Sequence, residues 1–404
     1  MDITIFRKNE IHTSLFDDYV IFKNTFFEKF NDLKCIFLGN FNELDDTKCK
    51  IDLLNDIMEK KRKAAAKYLH EYEFVKVLCK KQVISRAYFK LYELVYKLPV
   101  IYCEKIDSLF ICEAPGGFIE CVKDIRRRKG LSTPYMSISK VDDKIFYNKL
   151  LEPNNLYHGD ITRLDTVEQI GEKCIEKYPT GFDFITADGG FDITEFNAQE
   201  VYSSKLLLCE IFLALNTQKK DGIFIIKFFD MFTHNSVIYY LILCSFYKHV
   251  RICKPRTSRN CNSERYLVCY SFHGISESNI HLIIDIRNII SQFSTKLDDY
   301  TIVFPNVLEK MKIENTEIYN ILIKRLSYFN NIVIRKQVCT INDSIAMIHG
   351  DNMYIKDLLL RLFLKKISLC SIFLYKNILY SRINKSIEWL KEHNIELSKH
   401  FYYG

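Results

Sequence analysis

Between residues 107 and 273 the chain breaks into short apolar runs closed by turn residues and separated by stretches with helical spacing. The runs are "SLFIC", "YMSIS", "FDFITA", "GIFIIKFF", "VRICK" and "RYLVCYSF". Each is too short for a helix, and their alternation with helical segments predicts an α/β architecture, a mainly parallel sheet with helices on both faces. In such a sheet ligands bind beyond the carboxyl ends of the strands. The residues just after each run therefore carry the functional information.

The flanks have a different texture. Up to about residue 80, apolar groups and charges recur at helical spacing, most clearly in "CKIDLLNDIMEKKRKAAAKYLHEYEFVKVL". "ISRAYFKLYELVYKL" continues the pattern, with Ile84, Ala87, Leu91, Leu94 and Leu98 as a buried stripe and Arg86, Lys90, Glu93 and Lys97 on another face. Beyond residue 275 long helical patterns return, among them "NIHLIIDIRNIISQF" and "IEWLKEHNIELSKHF". The expected organisation is a helical region over 1–80, an α/β domain over 81–275 and a helical region over 276–404.

Composition excludes several classes. With 404 residues, 48% hydrophobic and 26% charged, the chain can bury a full core and is not a disordered protein. Its longest uncharged apolar stretch, Asn235 to Tyr247, falls short of the roughly 20 residues of a membrane span, and "MDITIFRKNE" is not a signal peptide. The expected setting is intracellular and soluble, cytoplasmic or nuclear, or a virion. The 14 cysteines include no C-x-x-C pair, so reduced thiols and no metal site are expected. The bias toward Ile, Lys, Asn, Phe and Tyr fits an AT-rich viral or parasite genome. Net charge is +7, yet Lys60 to Lys90 alone holds ten Lys/Arg against two Glu, enough to contact a phosphate backbone.

Four strand-end features point to chemistry. In "LFICEAPGGFIECV" an apolar run stops at Glu113, Pro115 fixes the turn, and Gly116 and Gly117 let the backbone approach a nucleotide-like ligand. Asp160 in "YHGDIT" and Asp188 in "FDFITADGGFD" set carboxylates at the mouth of the crevice. Lys227 ends the run Ile223 to Ile226, where an ammonium is costly unless paired or deprotonated. Finally, "KPRTSRNCNSERYLVC" puts Glu264 among arginines ahead of a strand expected over Tyr266 to Tyr270.

The region from about Ser85 to Phe272 resembles the FtsJ-like ribose 2′-O-methyltransferases, and among them the cap-specific mRNA enzymes. The resemblance rests on "SRAYFKLYEL", "APGGF", "LEPNNLYHGDIT", "TADGGFD", "SSKLLLCEIFLAL", "GIFIIKFFDMFT" and "KPRTSRNCNSERYLVC", in the family's order. It implies a Rossmann-like class I methyltransferase domain using S-adenosyl-L-methionine, with capped mRNA as substrate and other capping enzymes or the transcription machinery as partners. It implies that Lys90, Asp188, Lys227 and Glu264 form a catalytic tetrad, with Lys227 as base. The cofactor site it implies is Glu113, Ala114, Pro115, Gly116, Gly117, Phe118, Asp160 and Asp188. One departure is Phe110 and Glu113, where the family has an aspartate inside the first strand and a small residue before the Pro-Gly-Gly turn; this makes Glu113 the candidate for the methionine amino group. Asp142 or Asp143 is the candidate for the ribose. RNA contacts are expected from Arg86, Arg256, Ser258, Arg259 and Asn262, and from Arg265. A clamp on a methylated guanine would need Tyr or Phe, since the single tryptophan, Trp389, lies outside the domain. The alternatives are a 2′-O-methyltransferase of ribosomal or transfer RNA and a non-catalytic RNA-binding subunit.

Overall fold

The computed structural model describes residues 2–4, 25–26, 36–141, 147–149, 151–190, 199–293, 299–300, 302–349 and 376–398. The strands are β1 (Asp2–Thr4), β2 (Thr25–Phe26), β3 (Ser108–Ile111), β4 (Tyr135–Ser139), β5 (Leu156–His158), β6 (Phe182–Ala187), β7 (Gln218–Phe229), β8 (Tyr247–Cys253), β9 (Glu264–Phe272) and β10 (Asp299–Tyr300). Eight of them form one sheet in the order β1-β8-β9-β7-β6-β3-β4-β5, while β2 pairs with β10. The pairs β5–β4, β4–β3, β3–β6 and β6–β7 are parallel, and β9 runs antiparallel between β7 and β8.

All six apolar runs of the sequence are strands. Two members of the sheet were not foreseen. β5 is short and half exposed, so it has little apolar signature. β1 extends the edge by pairing with β8, so the 1–80 region is not purely helical.

Because successive side chains of a strand point to opposite faces, the sheet feeds two separate cores. Phe224, Ile226, Phe228, Leu267 and Cys269 join a core with helices Ser204–Thr217, His234–Phe246 and Ile280–Gln292. Ile223, Ile225, Tyr266 and Val268 face the other way, toward helices Ala87–Val95 and Gly117–Arg127. Strands buried on both faces read as continuous apolar runs, the pattern that made them legible.

The helical extensions close on one another. Helix Thr316–His349 packs along helices Leu38–Asp52 and Asp56–Leu69, and Trp389 and Leu390 of helix Lys376–Glu392 enter the second core. Trp389 is buried behind helix Ala87–Val95, stacked on His393 and donating to Glu93 Oε2 at 3.3 Å. That helix is rotated from its expected phase: Tyr88, Phe89, Leu91, Tyr92 and Val95 are its buried residues, and Ala87 and Leu94 are only partly covered.

Candidate active site

The register of three neighbouring strands brings the charged residues together. Asp188 follows the last residue of β6, Ala187, whose partner on β7 is Ile226, so Lys227 stands beside it. On the other side of β7, Tyr266 lies opposite Lys227, and Glu264 lies opposite Phe229, two residues on and on the same face. Helix Ala87–Val95 then lays Lys90 over the beginning of β9.

Two ion pairs result. Lys227 Nζ donates to the main-chain oxygen of Asp188 at 2.7 Å and pairs with its Oδ1 at 3.2 Å. Lys90 Nζ spans both oxygens of Glu264, at 2.7 and 2.8 Å. Tyr266 donates its hydroxyl to Asp188 Oδ1 at 3.0 Å, and Ser258 Oγ donates to Glu264 Oε1 at 2.7 Å. Glu264 is the first residue of β9, inside the strand rather than ahead of it.

Burial would raise the Glu264 carboxyl, but the charges of Lys90, Lys254 and Lys227 outweigh it and hold the group far below the usual carboxylate range. For Lys227 burial pulls downward, yet Asp188 and Glu264 win and raise the ammonium above its ordinary value. A raised ammonium is not a ready base, the role the resemblance implies for Lys227. Lys90 is taken up by Glu264, and the Asp188 carboxylate lies 3.2 Å from Lys227.

The Lys227–Asp188 pair and Glu264 line a cavity of about 1010 Å³; Lys90, paired with Glu264, is not among its lining residues. One part of its wall is Cys112, Ala114, Ser139, Lys140, Gly159 and Asp160, from the ends of β3, β4 and β5. Another is Arg259, Cys261, Asn262 and Ser263, joined by Lys48, Arg62 and Lys63 of the N-terminal helices and Gln337 and Ile341 of helix Thr316–His349. Six lining side chains are basic and three acidic, a balance that favours an anionic ligand.

Residues 83–272 match the family model described as FtsJ-like methyltransferase. These residues form an FtsJ-like methyltransferase domain. The chain is similar to cap-specific mRNA (nucleoside-2′-O-)-methyltransferase 1 of Mus musculus, 33% identical over 233 residues, which is 52% of this chain and 27% of the mouse protein. It is 35% identical to the Homo sapiens protein of that name over 194 residues, covering 43% of this chain and 23% of the relative. The cap-specific mRNA (nucleoside-2′-O-)-methyltransferase 2 of Drosophila melanogaster is 28% identical over 235 residues, 53% of this chain and 33% of the fly protein. The matches thus span about a quarter to a third of these relatives' lengths. Among solved structures, a protein described as a ribosomal RNA methyltransferase of Plasmodium falciparum aligns with 47% of this chain and 99% of its own, at 22% identity and a TM-score of 0.39.

Within the FtsJ-like domain the glycine turn is built for close approach. Gly116 has φ of 108°, a left-handed conformation, and a Cβ there would lie 2.2 Å from Leu151 Cδ1. A Cβ on Gly117 would meet Ser85 Oγ at 2.1 Å and Ala87 Cβ at 3.2 Å, because the helix bearing Lys90 packs against this point. Of the turn, Ala114 lines the cavity; Pro115, Gly116, Gly117 and Phe118 are not among its lining residues. Glu113 is not among them either. Its Oε1 accepts from Phe118 N at 2.5 Å beneath the helix N-terminus, and burial together with Asp188 pushes its carboxyl well up. A carboxyl pushed upward in this way, below the wall and bonded to Phe118 N, is a poor partner for an ammonium. Asp160 does line the cavity: burial acts to raise it, but Thr162 and Lys140 at 3.0 Å hold it down as an anion. Asp142 and Asp143 lie outside the described residues.

The expected RNA contacts are largely committed within the protein. Arg86 donates to the Glu73 and Thr257 main-chain oxygens at 2.9 and 3.1 Å. Arg256 is paired with Glu392 at 2.7 Å, and Ser258 serves Glu264. Arg259 makes a two-bond contact with Glu73 at 2.8 and 2.9 Å, but with Asn262 it lines the cavity. Arg265 is a correction: it is wholly buried on the opposite face, between the rings of Phe232 and Phe329, and donates to Asn330. Of the basic stretch, Arg62 and Lys63 reach the cavity but are paired with Glu59, and Lys80 and Lys81 pair with Glu396 and Glu120.

Two residues were missed, half-buried Lys254 and buried Glu210. Lys254 donates to main-chain oxygens beside Glu264, hidden among other basic residues in the sequence. Glu210 sits in the apolar helix Ser204–Thr217, where "LLLCEIFL" reads as core. Its Oε1 accepts from Gly189 N at 3.2 Å under the Asp-Gly-Gly turn, and burial pushes its carboxyl up to about 8. An acid interrupting an apolar helix was the available signal.

Proposed function

We propose that the protein is an S-adenosylmethionine-dependent methyltransferase that acts on the ribose 2′-hydroxyl of the first transcribed nucleotide of capped mRNA. The observation that carries this reading is one large cavity of an FtsJ-like domain lined by Asp188, Lys227 and Glu264, with Lys227 paired to Asp188 and Glu264 paired to Lys90. The cap branch, rather than ribosomal or transfer RNA, is supported by the relatives, whose names are cap-specific.

The lining fits the methyl donor. Ala114 at the glycine turn and ionised Asp160 stand at the strand ends where a nucleoside-like group binds, and Asp188 supplies a carboxylate between that end and Lys227. When bound, S-adenosylmethionine supplies an electrophilic methyl group. The protein's tasks are then to hold the hydroxyl and to take its proton. Lys227 is protonated at rest, so its first role is as a donor fixing the ribose oxygen. To act as base it must first release its own proton to solvent, which a further positive charge in the site favours by lowering its pKa; the neutral amine can then take the hydroxyl proton. Lys90 holds the Glu264 carboxylate that lines the same cavity. Arg259, Lys63 and Arg62 stand at the cavity wall, paired with Glu73 and Glu59, and would exchange those partners to take RNA phosphates.

The test is methyl transfer from labelled S-adenosylmethionine to matched capped and uncapped RNAs. Capped RNA is expected to be labelled, with Lys227→Ala lowering the rate about 10²–10⁴-fold. Equal labelling of uncapped RNA sinks the cap assignment, and full activity of Lys227→Ala sinks the site.

A further inference from the structure

Lys254 follows the last residue of β8, and the chain then crosses an irregular segment before entering β9 at Glu264. The segment is closed by turn bonds from Ser258 N to Pro255 O at 3.1 Å and from Asn262 N to Arg259 O at 3.0 Å. Across its base, Lys254 Nζ donates to the main-chain oxygens of Asn262 and Glu264, each at 2.6 Å. One ammonium thus grips the chain on both sides of Ser263, at the step that decides where the Glu264 carboxylate points. From the other side the same segment is held by helix Ala87–Val95, where Glu93 accepts from Arg256 N at 2.7 Å.

We propose that Lys254 is a positioning residue for methyl transfer, fixing the main chain at Glu264 so that its carboxylate meets Lys90. This inference rests on the methyltransferase reading above. A lysine that only solvated the turn would extend its head into water. Here the side chain is half-buried and its head turns back onto the two carbonyls; burial pulls the ammonium down to about 8, although Glu264 pulls the other way. The side chain touches no place where donor or acceptor would react; it acts through Glu264. A charge-assisted hydrogen bond to a main-chain carbonyl constrains backbone more firmly than a neutral one, and two from one nitrogen fix a local geometry.

The experiment compares wild type, Lys254→Met and Lys254→Arg in the full chain, measuring kcat and KM for S-adenosylmethionine and capped RNA, with Tm as a control for folding. Lys254→Met should lower kcat at least 30-fold with both KM values within about twofold of wild type. Lys254→Arg, which keeps the charge and the donors, should recover part of that loss. Retention of more than a third of the wild-type kcat by Lys254→Met overturns the proposal. So does a loss shared by kcat, both KM values and Tm, since that is the signature of a general structural role. Absence of transfer by the wild type on every RNA would instead strike the functional reading itself.

Discussion

At the scale of single residues, Glu264 is where the site is most exposed to change. It serves Lys90 and Ser258 through its carboxylate, and its charge is stabilised by three lysines. Glu264→Gln leaves buried ammonium groups facing a neutral amide, so methyl transfer should fall about 100-fold or more, measured as kcat at saturating RNA. Binding of S-adenosylmethionine, followed by calorimetry, should change little because the donor end of the cavity is elsewhere. Glu210 gives a stability prediction. Its folded pKa of about 8 exceeds the unfolded value near 4.5, so the folded state binds more protons across that window and stability falls as pH rises through it. Glu210→Gln cannot ionise. Its Tm advantage over wild type should therefore grow between pH 5 and pH 8, with a ceiling of about 5 kcal/mol from ~1.36 kcal/mol per pKa unit. A constant difference across that range would show that Glu210 does not titrate there.

At the scale of elements, the fold works by bringing helix Ala87–Val95 down onto the glycine turn. Gly117→Ala places a methyl against Ala87 and the main chain of Tyr88, at 3.2 and 3.3 Å, and must push that helix outward. Overpacking of this kind costs about 1–3 kcal/mol, and it should displace Lys90 from Glu264. The expected result is a drop in kcat larger than the change in KM, with Tm lowered by several degrees. Much of this arrangement was legible in the sequence, for a physical reason: strands buried on both faces produce unbroken apolar runs, and Lys227 stood out as a charge at the end of one. What was not legible depended on three-dimensional partners. The pKa direction of Lys227 turns on the Asp188 carboxylate 3.2 Å away and on Lys90 being paired with Glu264, and the role of Arg265 turns on strand alternation. Placed one residue after Glu264, Arg265 had to face the other core, and the same alternation could have identified it as buried. The short strand Leu156–His158 lacks apolar contrast because it lies half exposed at the sheet's edge.

At the scale of the whole molecule, the helical extensions take part in both the core and the cavity. Leu322, Leu326, Phe329 and Val333 of helix Thr316–His349 lie in the same core as the sheet, and Gln337 and Ile341 line the cavity. A fragment of residues 81–275 alone would expose these contacts and lose the wall formed by Arg62 and Lys63. It should be less soluble than the whole chain, and hydrogen exchange should show its strands unprotected; a stable, active fragment would contradict this view of the extensions. Among the described residues no helix is long and apolar enough to cross a membrane. The central claim is that the two lysine–carboxylate pairs direct a methyl group to one ribose hydroxyl. Its most direct test is to let the full chain act on capped RNA, digest the product to nucleosides and locate the methyl group by mass spectrometry. The prediction is a single 2′-O-methylated ribose on the nucleotide next to the cap, absent from Lys227→Ala; a methyl group on a base, or spread over internal nucleotides, would contradict it.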